Sequence, residues 1–455
     1  MTDTAALIDN RQGISSDVAY SLKHSSCRGR SMRASILPTN AMTFAPGSQA
    51  IMYIPGGRKN TYLDTTQTYL RGTLRNLDPT NAMYFDGGAW SVINRVDSFS
   101  AGNLLESCQQ YNVLYSYLMD FGLSYAQREG MSAMLGTSSA TTTTMRQGYD
   151  VSGSSTSVNS QYTFCLPILS CVVGTGLDKM LPLGELNDDI RLEFTFESQI
   201  VGMCAAAGTP NWSIIDFEIE AVFVELSDEG QQMVNSTFSP ERPIYLHGNS
   251  WRHYVQTLPA NQAGGFSYLV PARFASLKTL VVCPRRSTEV TANVAYSVSS
   301  RVNPNIAFYN WRVGSAIIPQ KMVYLENLNS TGSYSEVFAE IMKAFHSLDN
   351  PANSSSVNQA MFNVCDNVPA NLAQTGVIQG QTGVNSCQNA FAISTELELF
   401  SQRSDLLVSG LNTLSTQVFF EGTINTAPTV SYTLDFYANY DVILVIENGI
   451  MSAKF

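Results

Sequence analysis

The side chains best suited to metal binding or proton transfer are the histidines, and the chain has four of them, His24, His247, His253 and His346. His247 and His253 lie in one β-rich segment, where two histidines could share a metal ion. Neither a carboxylate nor a third histidine stands beside them at ligand spacing, and the H-E-x-x-H pattern is absent. We therefore predict no metal site and no cofactor.

Two groups of carboxylates have the chemistry for general acid–base catalysis. They are Asp188-Asp189 and the series Asp216, Glu218 and Glu220. The series alternates with apolar residues, as side chains on the solvent face of a strand do. We interpret both groups as solvent-facing strand residues and predict no catalytic residue.

A glycine-containing turn and the tryptophans are the remaining candidates for ligand binding. The turn, Gly174-Thr175-Gly176-Leu177-Asp178-Lys179, resembles a phosphate loop but does not open a helix, so a tight turn is the better interpretation. The dinucleotide-binding and serine-hydrolase motifs are absent from the sequence. We expect neither enzymatic activity nor a small-molecule substrate. The four tryptophans lie in or beside predicted strands, where packing is a commoner role than sugar binding. They are Trp90, Trp212, Trp251 and Trp311.

The composition favours β-sheet with long neutral loops. Charged residues make up 14% of the 455 residues, against roughly 25% in typical soluble domains. Ser, Thr, Asn, Gln and Gly take their place, which suits a surface partly covered by neighbours. The net charge of −11 argues against general nucleic-acid binding.

A basic N-terminal segment is the local exception to this acidic balance. Lys23, Arg28, Arg30 and Arg33 lie close together there. One interpretation is an arm that contacts an acidic surface, either nucleic acid or another subunit. The other is a solvated lead-in to the first strand.

The cysteines and the N-terminus bear on the cellular compartment. The eight cysteines are scattered without a C-x-x-C pair, which favours buried thiols and a reducing environment during folding. The N-terminus lacks the charged and apolar regions of a signal peptide, and no apolar run approaches a membrane span. We expect a chain that is neither secreted nor membrane-spanning.

Apolar runs separated by Gly, Pro and Asn predict strands along most of the chain. Residues 189–197 alternate strictly, so one face is buried and the register is set. The last strand stops at Asn448-Gly449, where a left-handed turn costs little. Apolar residues at helical spacing predict helices over 104–119 and 335–345. The other strands are predicted at 49–54, 62–74, 89–99, 162–173, 214–226, 245–256, 266–270, 279–282, 307–313, 391–400, 416–424 and 432–446.

The order of these elements repeats. The helix and the last three strands of the first half recur about 220 to 230 residues later, although the two halves share almost no identical residues. Each half has about eight strands, a short helix and one long polar loop, at 137–160 and 349–388. Such a set closes most readily as an antiparallel jelly roll, which leaves no long strand edge open. We predict an all-β chain of two consecutive eight-stranded jelly rolls.

The predicted division of the chain follows from this repeat. It has an N-terminal arm at 1–33, a first jelly roll at 34–228, a linker at 229–242 and a second jelly roll at 243–455.

Several short motifs also stand in a characteristic order. In the first half they are Tyr62-Leu63-Asp64, Tyr69-Leu70 and Leu104-Leu105 with Tyr111. In the second half they are Val270-Pro271-Ala272-Arg273-Phe274, Trp311-Arg312-Val313-Gly314 before Ile318-Pro319, Ser404-Asp405-Leu406-Leu407 with Ser409-Gly410-Leu411-Asn412-Thr413, and Tyr440-Asp441-Val442-Ile443-Leu444-Val445-Ile446. In this order the chain resembles the double jelly-roll major capsid proteins of double-stranded DNA viruses, especially those of polinton-like viruses, adintoviruses and virophages.

The resemblance implies a structural function. In that family three copies form a pseudo-hexameric capsomer, and the capsomers tile an icosahedral shell. It implies a homotrimer, contacts with neighbouring capsomers and with minor capsid or penton proteins, synthesis inside the host cell and a final location in the virion capsid. The alternatives are a lectin-like, carbohydrate-binding double β-sandwich and a minor capsid or penton protein.

Overall fold

The structure is a computed structural model that describes residues 28–137, 150–151, 160–205, 208–237, 243–287, 296–325, 334–348, 355–365, 389–398 and 408–455. Much of the predicted loops 137–160 and 349–388 lies outside these residues. The strands of the first half are β1 (Gly29–Ile36), β2 (Thr43–Phe44), β3 (Gln49–Ile54), β4 (Thr61–Asn76), β5 (Met83–Phe85), β6 (Ile93–Ser100), β7 (Asn103–Cys108), β8 (Asp150–Val151), β9 (Gln161–Pro167), β10 (Leu181–Pro182), β11 (Ile190–Phe196), β12 (Met203–Ala205) and β13 (Trp212–Leu226).

The second half is also made mainly of strands. They are β14 (Ile244–Leu258), β15 (Gly264–Val270), β16 (Leu277–Arg286), β17 (Ile306–Val313), β18 (Ala316–Tyr324), β19 (Ile393–Glu396), β20 (Val418–Ile424), β21 (Tyr432–Glu447) and β22 (Ile450–Lys454).

The helices are short. Among the described residues, none is both long and apolar enough to cross a lipid bilayer. They are α1 (Tyr111–Gly122), α2 (Tyr125–Gly130), α3 (Ser132–Leu135), α4 (Asp228–Thr237), α5 (Ser335–Ala344) and α6 (Gln359–Phe362), with single 3-10 turns at Ala89–Val92 and Leu183–Glu185.

The strands form the same pair of sheets twice. In the first half one sheet has the order β1-β13-β4-β10, with β9 also on β4, and the other has the order β3-β11-β6-β7. In the second half the orders are β14-β21-β16-β19 and β15-β20-β17-β18. The main strands therefore correspond in order, β1, β13 and β4 to β14, β21 and β16, and β3, β11, β6 and β7 to β15, β20, β17 and β18. The helix after β7 (α1) likewise corresponds to the helix after β18 (α5). The first half has a further three-stranded sheet, β12-β5-β8. The two halves are consecutive antiparallel jelly rolls, as predicted, and we call them the first roll and the second roll.

The strand β21 lies at the centre of the second roll. It pairs with β14 along Ile244↔Ile446 to Leu258↔Tyr432 and with β16 on its other side. Asn448 and Gly449 have φ values of 54° and 78° and turn the chain back into β22. The predicted left-handed turn is confirmed, and it forms the kind of two-residue hairpin that favours Asn-Gly.

The counterpart of β21 in the first roll, β13, changes phase part-way along. Trp212 and Ile214 are buried, and so are Phe217 and Ile219. In a regular strand, even-numbered and odd-numbered residues face opposite sides, so both pairs could not face the core. A β-bulge at Asp216, whose φ is 50°, supplies the extra residue. The bulge keeps large apolar side chains on the core side of the whole strand.

The predicted helix over 104–119 is wrong in its first part. The Ala101-Gly102 turn returns the chain as β7, which pairs with β6, and α1 begins only at Tyr111. The tight turn starts a hairpin, and Gln110, with a φ of 47°, separates the strand from the helix. The predicted strand 89–99 likewise begins with a 3-10 turn, and β6 starts at Ile93.

The segments around the predicted domain boundaries have regular structure. The helix α4 occupies most of the predicted linker 229–242, and the Ser227 hydroxyl accepts a hydrogen bond from the Gly230 N–H at 3.2 Å. The strand β1 begins at Gly29, inside the predicted arm 1–33. Buried apolar side chains from both rolls form one continuous core cluster. The division of the chain into domains stays a prediction.

Candidate functional site at the contact between the two rolls

The edge strand β7 of the first roll packs against β14 and β22 of the second. In this contact the buried carboxylate of Glu106 accepts hydrogen bonds from the hydroxyls of Ser170 at 2.6 Å and Ser250 at 2.5 Å. It also accepts one from the Cys171 N–H at 3.1 Å. Burial raises the pKa of Glu106, although the three donors oppose the rise. Because Ser250 belongs to β14, this carboxyl group joins the two rolls.

A second buried carboxylate, that of Asp120 at the end of α1, is shared by two arginines. Its Oδ1 lies 2.5 Å from Nη1 of Arg128, and its Oδ2 is paired with Arg301 of the second roll. Arg301 also donates to the Ser116 hydroxyl at 3.2 Å, and Arg128 lies over the ring of Trp90. The side chains of Asp120 and Arg301 are 0% exposed and that of Arg128 is 1% exposed. Two guanidinium groups thus depend on one carboxylate in a site without water access.

Asp86 is the third buried carboxylate at the contact. It accepts hydrogen bonds from the backbone N–H groups of Val298 at 2.7 Å and Ser299 at 3.3 Å, and from the Ser299 hydroxyl. All of these donors belong to the second roll. Backbone groups of one roll are therefore satisfied by a side chain of the other.

The fourth buried carboxylate, that of Asp435 on β21, pairs with His253, one of the histidines considered for metal binding. Nε2 of His253 lies 2.8 Å from its Oδ1, and Nε of Arg285 donates to its Oδ2 at 2.6 Å. Burial alone would raise the pKa of Asp435, but Arg285 and His253 lower it. Arg285 also donates to the side-chain oxygen of Gln110 in the first roll at 3.1 Å, and the Tyr437 hydroxyl donates to the Gln110 backbone oxygen at 2.8 Å.

An aromatic cluster fills the space between α1 and α5. The ring centroids of Tyr117 and Phe345 are 5.5 Å apart, and those of Phe121 and Phe338 are 6.2 Å apart. Phe362 of α6 meets Phe121 edge-on at 6.0 Å. Burial of such large rings contributes more to the contact than the directional ring geometry does.

Backbone groups approach each other directly at two further places. The Asn249 N–H donates to the Gly176 oxygen at 2.8 Å, and the Asn187 N–H donates to the Gly449 oxygen at 2.9 Å. A Cβ on Gly176 would lie only 2.4 Å from the Asn249 oxygen. The glycine-containing segment 174–179 is therefore a turn, as predicted, and it serves contact between the rolls.

The series of carboxylates on β13 does not face solvent as predicted. Glu220 pairs with Arg33 at 2.7 Å, and Glu218 pairs with Arg71, so arginines of the adjoining strands lie over both carboxylates. The side chains of the two glutamates are 6% and 11% exposed. Asp216, in the bulge, remains exposed.

The other candidates from the sequence are dispersed. Asp188-Asp189 lies in an exposed bend before β11. Trp90, Trp212 and Trp311 are at most 1% exposed, and Trp251 is partly buried against the core. The tryptophans of the described chain thus do not form an exposed platform for sugar stacking.

The basic residues near the N-terminus have different environments. Arg30 pairs with Glu225 of β13 at 2.7 Å, and Arg33 pairs with Glu220 of the same strand. The acidic surface that these two arginines contact is therefore in their own chain. Arg28 is exposed, and Lys23 lies outside the described residues.

The two histidines of β14 are too far apart to bind the same metal ion. His247 pairs with Asp441 at 3.3 Å, and His253, six residues later, pairs with Asp435 at 2.8 Å. On a strand, six residues span roughly 20 Å. The two histidine–carboxylate pairs are therefore separate. The spacing of residues in the sequence does not indicate either carboxylate partner.

The described residues contain one cluster of His and Glu whose possible ligand atoms lie within 4.8 Å of one another, formed by His346, Glu396 and Glu398. The carboxylates face different ring nitrogens: Nδ1 is 3.5 Å from Glu396 and Nε2 is 3.2 Å from Glu398. Lys278 holds the other oxygen of Glu398 at 2.8 Å. Because each carboxylate faces its own ring nitrogen and Lys278 pairs with Glu398, we interpret the cluster as a set of ion pairs.

Comparison with known proteins depends on structure alone. No protein-family model matches the chain, and no curated protein matches it in sequence. A chain of the PBCV-1 virus capsid superposes with a TM-score of 0.64 at 10% identity, over 96% of this chain and 99% of that one. The protein has a double jelly-roll fold.

Two further structures support the same fold. A chain from the cryo-EM structure of the Sputnik virophage gives a TM-score of 0.54 at 13% identity, over 98% of this chain and 92% of that one. The mavirus major capsid protein gives 0.51 at 9% identity, over 98% and 94%. The resemblance in fold predicted from the sequence motifs is confirmed.

Proposed function

We propose that this protein is a major capsid protein, three copies of which form a pseudo-hexameric capsomer of an icosahedral virion. One observation carries the proposal: among the described residues the edge strand β7 packs against strands of the other roll, whereas most side chains of its counterpart β18 are exposed or only partly buried. The proposal gives the chain a structural role and not a catalytic one.

The hairpins β6–β7 and β17–β18 correspond closely. Each turns in two residues, Ala101-Gly102 in the first roll and Gly314-Ser315 in the second. The second roll packs on β7, whereas β18 lies at the edge of its sheet in the part of the chain that the structure describes. Three large apolar side chains of β18 are correspondingly exposed, Ile317 at 44%, Met322 at 38% and Tyr324 at 49%.

The contact within the chain suggests what covers β18. The first roll presents β7 to β14 of the second, and the counterpart of β14 is β1. Repeating the same contact between chains sets β18 of one copy against the β1 side of the next copy's first roll. The next copy offers its own β18 to a third copy in the same way.

This head-to-tail contact is heterologous, so it forms a closed ring only when the rotation between successive rolls closes. A ring of six rolls needs three chains, with alternating contacts within and between chains. Low surface charge and exposed apolar residues on β18 suit burial between subunits. The fold shared with viral capsid chains supports this assembly.

The mass of the purified protein tests the proposal. A trimer has three times the 49.7 kDa of the chain. Replacing Ile317 and Tyr324 with Lys on β18 is expected to give folded monomers, because charges are costly to bury between subunits. Met233→Lys on α4, a site of similar exposure (59%), is the matched control and is expected to remain trimeric.

A stable monomer of the unaltered chain at micromolar concentration by light scattering would contradict the proposal. Five-fold assemblies would instead favour the penton alternative. The lectin alternative requires saturable binding on a glycan array that is lost on replacing a single exposed aromatic residue, and the burial of the tryptophans gives it little support.

A further inference from the structure

His346 occupies an unusual position at the end of α5. The helix ends at Ala344, and two residues later His346 has a φ of 50°. This left-handed position after a helix usually holds glycine, because a Cβ disfavours it. The His346 N–H still donates to the Lys343 oxygen at 2.8 Å, so the turn is well formed.

The imidazole ring links the end of α5 to Glu396, the last residue of β19, and to Glu398, two residues later. Nδ1 lies 3.5 Å from Glu396 and Nε2 lies 3.2 Å from Glu398. The side chains of Glu396 and Glu398 are 16% and 5% exposed, and that of His346 is 37% exposed. The ring can therefore exchange protons with solvent while its partners are held in place.

Only the doubly protonated ring satisfies both contacts. A neutral imidazole has one N–H, so one of its nitrogens would present a lone pair to a carboxylate. The imidazolium has two N–H groups and carries a positive charge, which is also favourable at a helix C-terminus.

The charged groups around the ring carry a net negative charge, which favours the imidazolium form. From β16, Lys278 binds Glu398 at 2.8 Å and reaches Asp441 of β21 at 3.5 Å. With both His346 and His247 of β14 neutral, the three carboxylates Glu396, Glu398 and Asp441 outnumber the single ammonium group. On α5 itself Lys343 is paired with Glu340 at 2.5 Å.

We propose that His346 is a proton-operated clasp, which when protonated fastens the end of α5 to Glu396 and Glu398 and so tightens the contact between the two rolls. The connection to that contact is the adjacent residue, Phe345. Its ring packs on Tyr117 at 5.5 Å and on Phe121 at 6.4 Å, both on α1 of the first roll. Loss of the clasp would free the end of α5 and Phe345, which directly follows it.

The direction of the pH dependence follows from the contacts. The hydrogen bond to Glu398 raises the pKa of His346 above its ordinary value of 6.5; partial burial opposes this, and the charge of Glu396 adds to it. Burial opposes ionisation of Glu398, yet His346, Lys278 and Ser409 lower its pKa to about 2, so it stays charged. A histidine with a raised folded-state pKa contributes its full stabilisation below the unfolded value, and the contribution is lost as pH rises through the folded value. The clasp is closed in acid and opens in base.

The test uses the full chain and does not depend on capsid assembly. Only four histidines are present, so NMR of the ring carbons gives few signals, and His346→Gln identifies the relevant one. We expect His346 to titrate above 6.5 and to return towards that value in Glu398→Gln, roughly tenfold in proton affinity for each pKa unit. Hydrogen exchange at the end of α5, corrected for intrinsic rates, should accelerate through the same midpoint in the unaltered chain and not in His346→Gln.

Lys343→Gln is the matched control, because it removes a charge from the same helix end without touching the clasp, and it should keep the titration. An ordinary pKa for His346, or exchange at α5 that ignores its titration, would overturn the proposal. So would micromolar Zn²⁺ that slows this exchange above the midpoint as strongly as protonation does below it, since the cluster would then be a metal site. A trimer that fails to form would bear on the proposed function and leave the clasp measurements unaffected.

Discussion

Replacing Asp120 with Asn should be one of the most damaging single changes that preserve side-chain shape. The variant leaves Arg128 and Arg301 facing each other without a carboxylate, and all three side chains are at most 1% exposed. Removing one partner of a buried ion pair typically costs about 3–5 kcal/mol. Here two cations lose their partner, so we expect at least the upper end of that range, a large share of the roughly 5–15 kcal/mol that stabilises a domain.

The assay is urea-induced unfolding at fixed protein concentration, because subunit association changes apparent stability. Glu225→Gln is the control: it breaks the pair with Arg30, whose side chain is 71% exposed, and exposed pairs contribute roughly 0–1 kcal/mol. Arg301→Met provides a second comparison, since it leaves the Asp120–Arg128 pair intact and should cost less than Asp120→Asn. If Asp120→Asn were no more destabilising than Glu225→Gln, the reasoning about the shared buried carboxylate would be refuted.

Two other changes address the contact between the rolls and the centre of the second roll. Gly176→Ala places a Cβ 2.4 Å from the Asn249 oxygen and should lower the unfolding free energy by about 1–3 kcal/mol. The control is Gly130→Ala on α2, whose Cβ would have no atom within 4 Å, and it should be neutral or slightly stabilising. Equal effects of the two variants in thermal unfolding would contradict the close approach at Gly176. Deleting 432–455 removes β21 and β22 and leaves β14 and β16 without their shared partner, so we expect no soluble protein on expression. A soluble trimer after that truncation would show that β21 is dispensable.

Local patterns were sufficient for most strands. In β11 every second side chain is buried, as the alternation from 190 to 196 predicts, because side chains on a strand point alternately to opposite faces. The recurrence of the same elements in the second half then indicated two similar rolls. The same approach failed at 104–110, where apolar residues fit a helical spacing but a two-residue turn commits the chain to a hairpin.

Partners far apart in the chain lay beyond this kind of reasoning. Asp120 is the only charged residue of α1, which was a usable signal for a buried pair, but nothing local indicates that Arg301 is its partner. The same holds for His346, whose carboxylates come from the end of β19 and the residues just after it. Each of these contacts depends on how the rolls or their sheets pack.

The sequence by itself determined the strand alternation, the repeat and hence the double jelly roll, because periodicity along the chain reports which side chains face a core. Only the tertiary structure decided which charges are buried together and which strand edge is covered. Those outcomes depend on distances between residues remote in sequence, and the free energy of a buried charge depends on the particular atoms within a few ångströms of it.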